Sequence, residues 1–302
     1  MNAILQHKSK RNYFLKIVGV ILLIIFLIRV YVIPAHFPNS TNESLIYIKS
    51  VLDKVSVSLI VSLFLGWFLF KIEVPEQQGK LEIIEPIRIS DYFENGRLNT
   101  SFWYFSGGAG RYTRNVTIPK LAELSNSNNS SKNIRLNLIN PMESELCENY
   151  VNYKKSLKSS KESKINWDTD FLKNQIYATI VQAILYKSVY PMLEIDIYLK
   201  KYFTTTRIDI NELNCIITKE DKRDLALACL NKTFLYNTFK EEIFQIAKQS
   251  TKFNIHKILD NVNLKEIKVE IVKEISDLYN LKLEEDSIKK ITEILNDKKS
   301  IY

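Results

Sequence analysis

The sequence predicts an α/β protein in which a three-layer cytoplasmic domain follows two N-terminal membrane-spanning helices. Two long apolar runs predict the spans, and short alternating segments interleaved with helical patterns predict the domain. The third observation is the placement of charge. Of a formal net charge of +8, +5 falls within residues 1–34, which hold Lys8, Lys10, Arg11, Lys16 and Arg29 and no acid. The basic excess therefore belongs to a membrane flank rather than to a nucleic-acid surface. The expected organisation is a basic flank (1–12), a two-helix membrane hairpin (13–72), a tether (73–84), the α/β domain (85–250) and a small helical appendage (251–302).

Ile17 to Ile33, IVGVILLIIFLIRVYVI, is apolar except for Arg29, and Val55 to Phe70, VSVSLIVSLFLGWFLF, has no charge. With Tyr13 to Lys16 and Val51 to Lys54 added, each reaches the roughly 20 residues that a spanning helix needs. Pro34-Ala35-His36-Phe37 makes a poor cleavage site, which argues against a signal peptide. The basic flank places the N-terminus inside, and two spans return the C-terminal part to the same side. The expectation is a multi-pass protein of a bacterial inner membrane with both termini cytoplasmic. Ser58, Ser62 and Gly66 recur at every fourth residue, a spacing that lets helix backbones approach, either within the hairpin or between copies of the chain. Arg29 lies about one turn before Pro34 and is expected to reach the outer interface.

Beyond the polar tether the chain alternates. Ile89 to Leu98 predicts a short helix, Ser101 to Ser106 an aromatic strand, Ile118 to Leu124 a helix, and Asn133 to Ile139 a strand stopped by Asn140-Pro141. Glu143 to Leu157 predicts a helix, and so does Asp168 to Val189, where Phe171, Leu172, Ile176, Ile180, Ile184 and Leu185 fall at helical spacing. Leu193 to Leu199 predicts a strand, Thr205 to Ile210 and Leu213 to Thr218 a strand pair, and Phe234 to Gln249 an amphipathic helix. Leu264 to Leu278 and Ile288 to Leu295 give apolar faces on charged helices, the expected appendage.

The stretch that carries chemistry is SFWYFSGGAGRYTRNVTIPK, residues 101–120. Three of the chain's seven glycines, Gly107, Gly108 and Gly110, follow the aromatic strand and precede a helix start. A strand, a glycine turn and a helix N-terminus make an anion pocket, and Arg111, Arg114 and Lys120 are its candidate cations. A tight turn without a ligand makes the same demand for glycine, so both readings stand. Thr113 occupies the place of a third dinucleotide-binding glycine and no Gly-Lys-Ser/Thr follows, so neither nucleotide fingerprint is complete. Cys147, Cys215 and Cys229 are too widely spaced for a zinc site and read as reduced core thiols, and His7, His36 and His256 lie in separate regions. No cofactor is expected.

The order of aromatic strand, helix, strand ending Asn-Pro, long helix, strand, and then TRIDINELNCIITK followed by NTFKEEIFQIA resembles a phospholipase-D-like domain over residues 85–250. Active members carry His-x-Lys and a later Asp on the strand pair. Here Arg207-Ile208-Asp209 occupies that region without a histidine, which implies a catalytically degenerate member. With two spans ahead of it, the layout also resembles the two-transmembrane effectors of bacterial anti-phage systems, in particular those encoded beside retron reverse transcriptases. That resemblance implies an abortive-infection toxin, held silent by the reverse transcriptase and its multicopy single-stranded DNA, that permeabilises the inner membrane when released. A phosphate-bearing ligand at the glycine loop and a homo-oligomer through the small-residue face complete the expected partners. The alternative is a membrane-tethered nucleotide-binding or nucleotide-processing enzyme, with Glu143 or Glu145 assisting at the glycine loop.

Overall fold

A computed structural model of the chain describes residues 8–36, 43–73, 81–162, 165–221, 223–260 and 262–297. They divide into two compact units, Met1–Gln78 and Gly79–Tyr302.

In the first unit, α1 (Lys8–Leu27) runs through a π-helical turn (Ile28–Val32) into the short α2 (Ile33–His36), and α3 (Glu43–Glu73) follows. The π turn has a local cause. Pro34 lacks an N–H and its ring crowds the carbonyl four residues back, so the turn before it widens and Ile33 bonds Ile28 O instead. Lys16–Ala35, with mean hydropathy 2.8, is long and apolar enough to cross a membrane, and only 11% of it is buried, unlike a core helix. Val18, Leu22, Ile25, Arg29 and Ile33 are the less exposed positions of the first helical stretch, and Lys49, Leu52, Ser56, Leu59 and Leu63 those of α3. Steps of three and four mark a seam where two helices lie side by side. Beside that seam the Arg29 guanidinium grips Asp53, Nε to Oδ1 at 3.1 Å and Nη2 to Oδ2 at 3.4 Å. Arg29, expected to reach the outer interface, is thus paired with an acid of α3. Ser58 and Ser62 face outward, so Ser56, Leu59 and Leu63 make the contact within the unit instead. The surroundings of Gly66 lie outside the described residues, as does most of the expected tether.

The second unit is an α/β domain built on one mixed eight-stranded sheet. Its strands are β1 (Leu81–Ile84), β2 (Phe102–Ser106), β3 (Lys132–Ile139), β4 (Leu193–Lys200), β5 (Thr206–Ile210), β6 (Asn214–Lys219), β7 (Ala226–Leu230) and β8 (Thr251–Phe253), in the order β1-β7-β6-β5-β2-β3-β4-β8. β2, β3 and β4 are parallel, and the remaining pairs are antiparallel. The helices are α4 (Ile89–Leu98), α5 (Ile118–Ser127), α6 (Ser144–Ser156), α7 (Lys158–Glu162), α8 (Thr169–Val189), α9 (Phe234–Lys248), α10 (Val269–Leu278) and α11 (Glu285–Asn296).

Strand alternation sorts the two faces. Trp103 and Phe105 on β2, Ile134, Leu136 and Leu138 on β3, and Ile195 and Ile197 on β4 are buried in the larger core with residues of α5, α6 and α8. On the opposite face Ile208, Ile210, Cys215, Ile217 and Cys229 pack with Tyr236 and Ile243 of α9. Helices therefore cover both faces, as a three-layer α/β fold requires. α8 is buried on nearly all sides from Leu172 to Leu185, and Asp168 caps it by accepting the Phe171 N–H at 2.7 Å. Val272, Ile275, Ile288 and Ile291 belong to the same large core, so the expected C-terminal appendage is an integral part of the domain. Leu81–Ile84, expected within the tether, is an edge strand paired with β7.

Candidate functional site

β6 runs parallel to β2 because the antiparallel β5 stands between them. The C-terminal ends of β2, β3, β4 and β6 consequently share one edge of the sheet with the start of β5. Loops at such an edge are where open α/β sheets place ligands. Five segments meet there: the glycine loop after β2, Asn140–Glu143 after β3, residues 201–205 after β4, Arg207 on β5 and Glu220 after β6.

The glycines are required by packing as well as by backbone form. Gly107 N–H reaches Asn137 O at 3.2 Å and Ile139 N–H reaches Gly108 O at 3.3 Å, so the chain after β2 stays bonded to the end of β3. A Cβ on Gly107 would come within 2.6 Å of the Phe105 ring and 2.9 Å of Arg207 Cγ, and one on Gly108 within 2.2 Å of the Tyr150 hydroxyl. Gly110 has φ +67°, a left-handed conformation in which a side chain is strained. It stands directly before a helical turn at Arg111, and a left-handed residue meeting a right-handed one is the backbone pattern of an anion-binding nest. The carbonyls of Gly108, Ala109 and Gly110 accept from Ile139 N–H, the Thr179 hydroxyl and Arg114 N–H. In a trans peptide each following N–H, those of Ala109, Gly110 and Arg111, points away from the partner of the carbonyl before it. The turn from Thr113 to Thr117 is π-helical and again lies just before a proline, Pro119.

The three candidate cations do not converge on this loop. Arg114 is buried and committed to the fold: Nε donates to Asn115 Oδ1 at 2.7 Å, Nη1 to Gln175 O at 2.9 Å and Thr179 Oγ1 at 3.3 Å, and Nη2 to Gln175 Oε1 at 2.9 Å. Burial, with Arg111 nearby, pulls its pKa down to about 9. Arg111 lies over the Phe171 ring, 5.8 Å from its centroid. Lys120 is exposed, pairs with Glu123 at 3.6 Å, and lines a surface depression between α4 and α5 with Glu94, Arg97 and Asn115. Of the alternative's acids, Glu143 is half-buried just before α6 and Glu145 is exposed in its first turn.

Two lysines the sequence did not single out, Lys200 and Lys154, join Arg207, Asp209 and Glu220 at this edge. Lys200, the last residue of β4, is fully buried and reaches back across the end of β3 to Ser106 Oγ at 3.4 Å. Lys154 of α6 pairs with Glu220, Nζ to Oε2 at 3.2 Å, and the Tyr150 hydroxyl also bonds Glu220. Asp209 is buried between Trp103 Nε1 at 3.0 Å and Arg207 Nε at 3.1 Å. Burial pushes its carboxyl pKa up while Arg207 and the indole act against that rise. Over the edge, Phe203 stacks on Tyr153 and meets Tyr150 edge-on. Among the described residues no group of three or more His, Cys, Asp or Glu side chains is placed to hold a metal ion.

Compared with known proteins, the chain matches no family model and no curated protein.

Proposed function

We propose that the protein is a membrane-anchored effector: the first unit is a two-helix membrane hairpin, the second a cytoplasmic sensing domain, and the released protein permeabilises a bacterial inner membrane. The observation that carries this reading is the apolar surface of the first unit. Leu23, Phe26 and Val32 before the connection and Val57, Ile60, Phe64 and Trp67 after it are all exposed, a density of apolar surface that water does not tolerate and lipid does. α3 is long enough to span, and Asp53, paired with Arg29, lies toward its N-terminal end. Outward-facing Ser58 and Ser62 favour association between copies, since they are not used within the unit. The resemblance to retron-associated two-transmembrane effectors supports the remainder: silence enforced by a reverse transcriptase and its single-stranded DNA, and a phospholipase-D-like domain adapted to sensing.

Inducing the chain alone in bacteria and following entry of an impermeant dye tests the proposal. Dye entry is expected in the absence of partners, abolished by Gly66→Leu and retained in Glu143→Gln and Glu145→Gln. Toxicity lost with the acid substitutions and kept in Gly66→Leu would favour the enzyme alternative instead.

A further inference from the structure

We infer that the C-terminal edge of the sheet binds a phosphoryl group, with the buried Lys200 ammonium as its principal counter-charge. The argument starts from a comparison of the buried cations. Arg114 has four acceptors, Lys132 donates to Thr100 O at 2.6 Å, Arg97 to the Tyr112 hydroxyl at 2.9 Å, and Lys154 is paired with Glu220 at 3.2 Å. Lys200 is more buried than any of these, at 0% exposure, yet among the described residues its ammonium donates only the 3.4 Å contact to Ser106, lies 5.8 Å from the Tyr202 ring centroid and forms no ion pair. A buried charge is ordinarily paired, because desolvation without compensation is severe. Burial lowers the Lys200 pKa to about 8, with Glu220 acting the other way. Among the described residues the ammonium has a single hydrogen-bond acceptor, the Ser106 hydroxyl.

The position of the ammonium selects the class of ligand. Its contact is with Ser106, the residue before Gly107, and the Arg207 stem packs against that glycine. The neighbouring acids are already engaged, Glu220 by Lys154 and Tyr150 and Asp209 by Arg207 and Trp103. An anion entering here therefore meets a lysine, a hydroxyl and a glycine loop whose backbone turns at Gly110 into a helix start. Tetrahedral phosphate oxygens suit that set of donors. Lys200 is closed off from solvent, so admitting the anion requires a shift of residues 201–205, which join β4 to β5 at the same edge. The inference concerns the second unit alone and stands or falls separately from the membrane reading.

Thermal unfolding of the full-length chain in detergent, at constant ionic strength, tests it with inorganic phosphate and with ADP as probes. The wild type is expected to melt higher with one or both, and Lys200→Met to need at least tenfold more of the same probe for an equal rise. Lys120→Met is expected to respond as the wild type does. A rise with phosphate assigns the site to the phosphoryl group itself, and a rise with ADP alone assigns it to a nucleotide. No rise with either, or an undiminished rise in Lys200→Met, would overturn the inference. Should Lys200→Met not fold, Lys200→Gln replaces it. Failure of both to fold would also overturn it, since the ammonium would then be serving the empty fold.

Discussion

Replacing Gly108 with alanine is expected to destabilise the C-terminal domain by about 3 kcal/mol, the upper part of the range for forcing atoms into a packed interior. The new Cβ would stand 2.2 Å from the Tyr150 hydroxyl and 2.6 Å from Cζ. Tyr150 cannot swing aside, because it is buried, bonded to Glu220 and braced edge-on by Phe203. Chemical denaturation of wild type, Gly108→Ala, Tyr150→Leu and the double variant measures the effect as a cycle. The two substitutions should be strongly non-additive, with the double variant recovering much of the alanine's penalty. A loss below about 0.5 kcal/mol in Gly108→Ala, the level of an ordinary surface change, would mean that Tyr150 does not close over the glycine loop.

The second large effect lies in the first unit. Arg29→Leu should leave Asp53 as a lone acid among apolar helices, and Asp53→Leu should leave Arg29 likewise. An unpaired charge at the middle of a span disfavours insertion by roughly 3 kcal/mol, and by less toward its ends. Each single variant is therefore expected to lose membrane-inserted protein, read by protease protection. Exchanging the two residues, Arg29→Asp with Asp53→Arg, should restore most of it because the pair is remade. Equal insertion of wild type and both single variants would show that the 3.1 Å contact has no part in holding the helices together.

The legible parts of the fold are those whose pattern is local. The strands from Phe102, Lys132 and Leu193, the long α8 and the amphipathic α9 all follow from alternation or helical spacing in a single stretch. β1, β7 and β8 were not foreseen, and the reason is physical: they are three to five residues long and are defined by partners remote in sequence, Leu81 opposite Cys229 and Phe253 opposite Ile197. The two π turns likewise follow from Pro34 and Pro119 only once the helices that contain them are known.

At the candidate site the glycine loop was legible, but the cations were not. Arg114 follows a glycine turn as a ligand-binding arginine would, yet the buried Gln175 and Thr179 of α8 draw it inward, and nothing local announces those partners. Lys200 was hidden for the opposite reason. In LEIDIYLK it shares the polar parity of Glu194 and Asp196, which reads as a solvent face, and that end of the face is closed in three dimensions.

Release of a trapped dye from liposomes that contain only the purified full-length chain bears most directly on the central claim, that this protein by itself opens a membrane when no partner restrains it. The account expects release that rises with the amount of inserted protein and falls in Gly66→Leu. Liposomes that hold verified, inserted protein and retain their dye would contradict it.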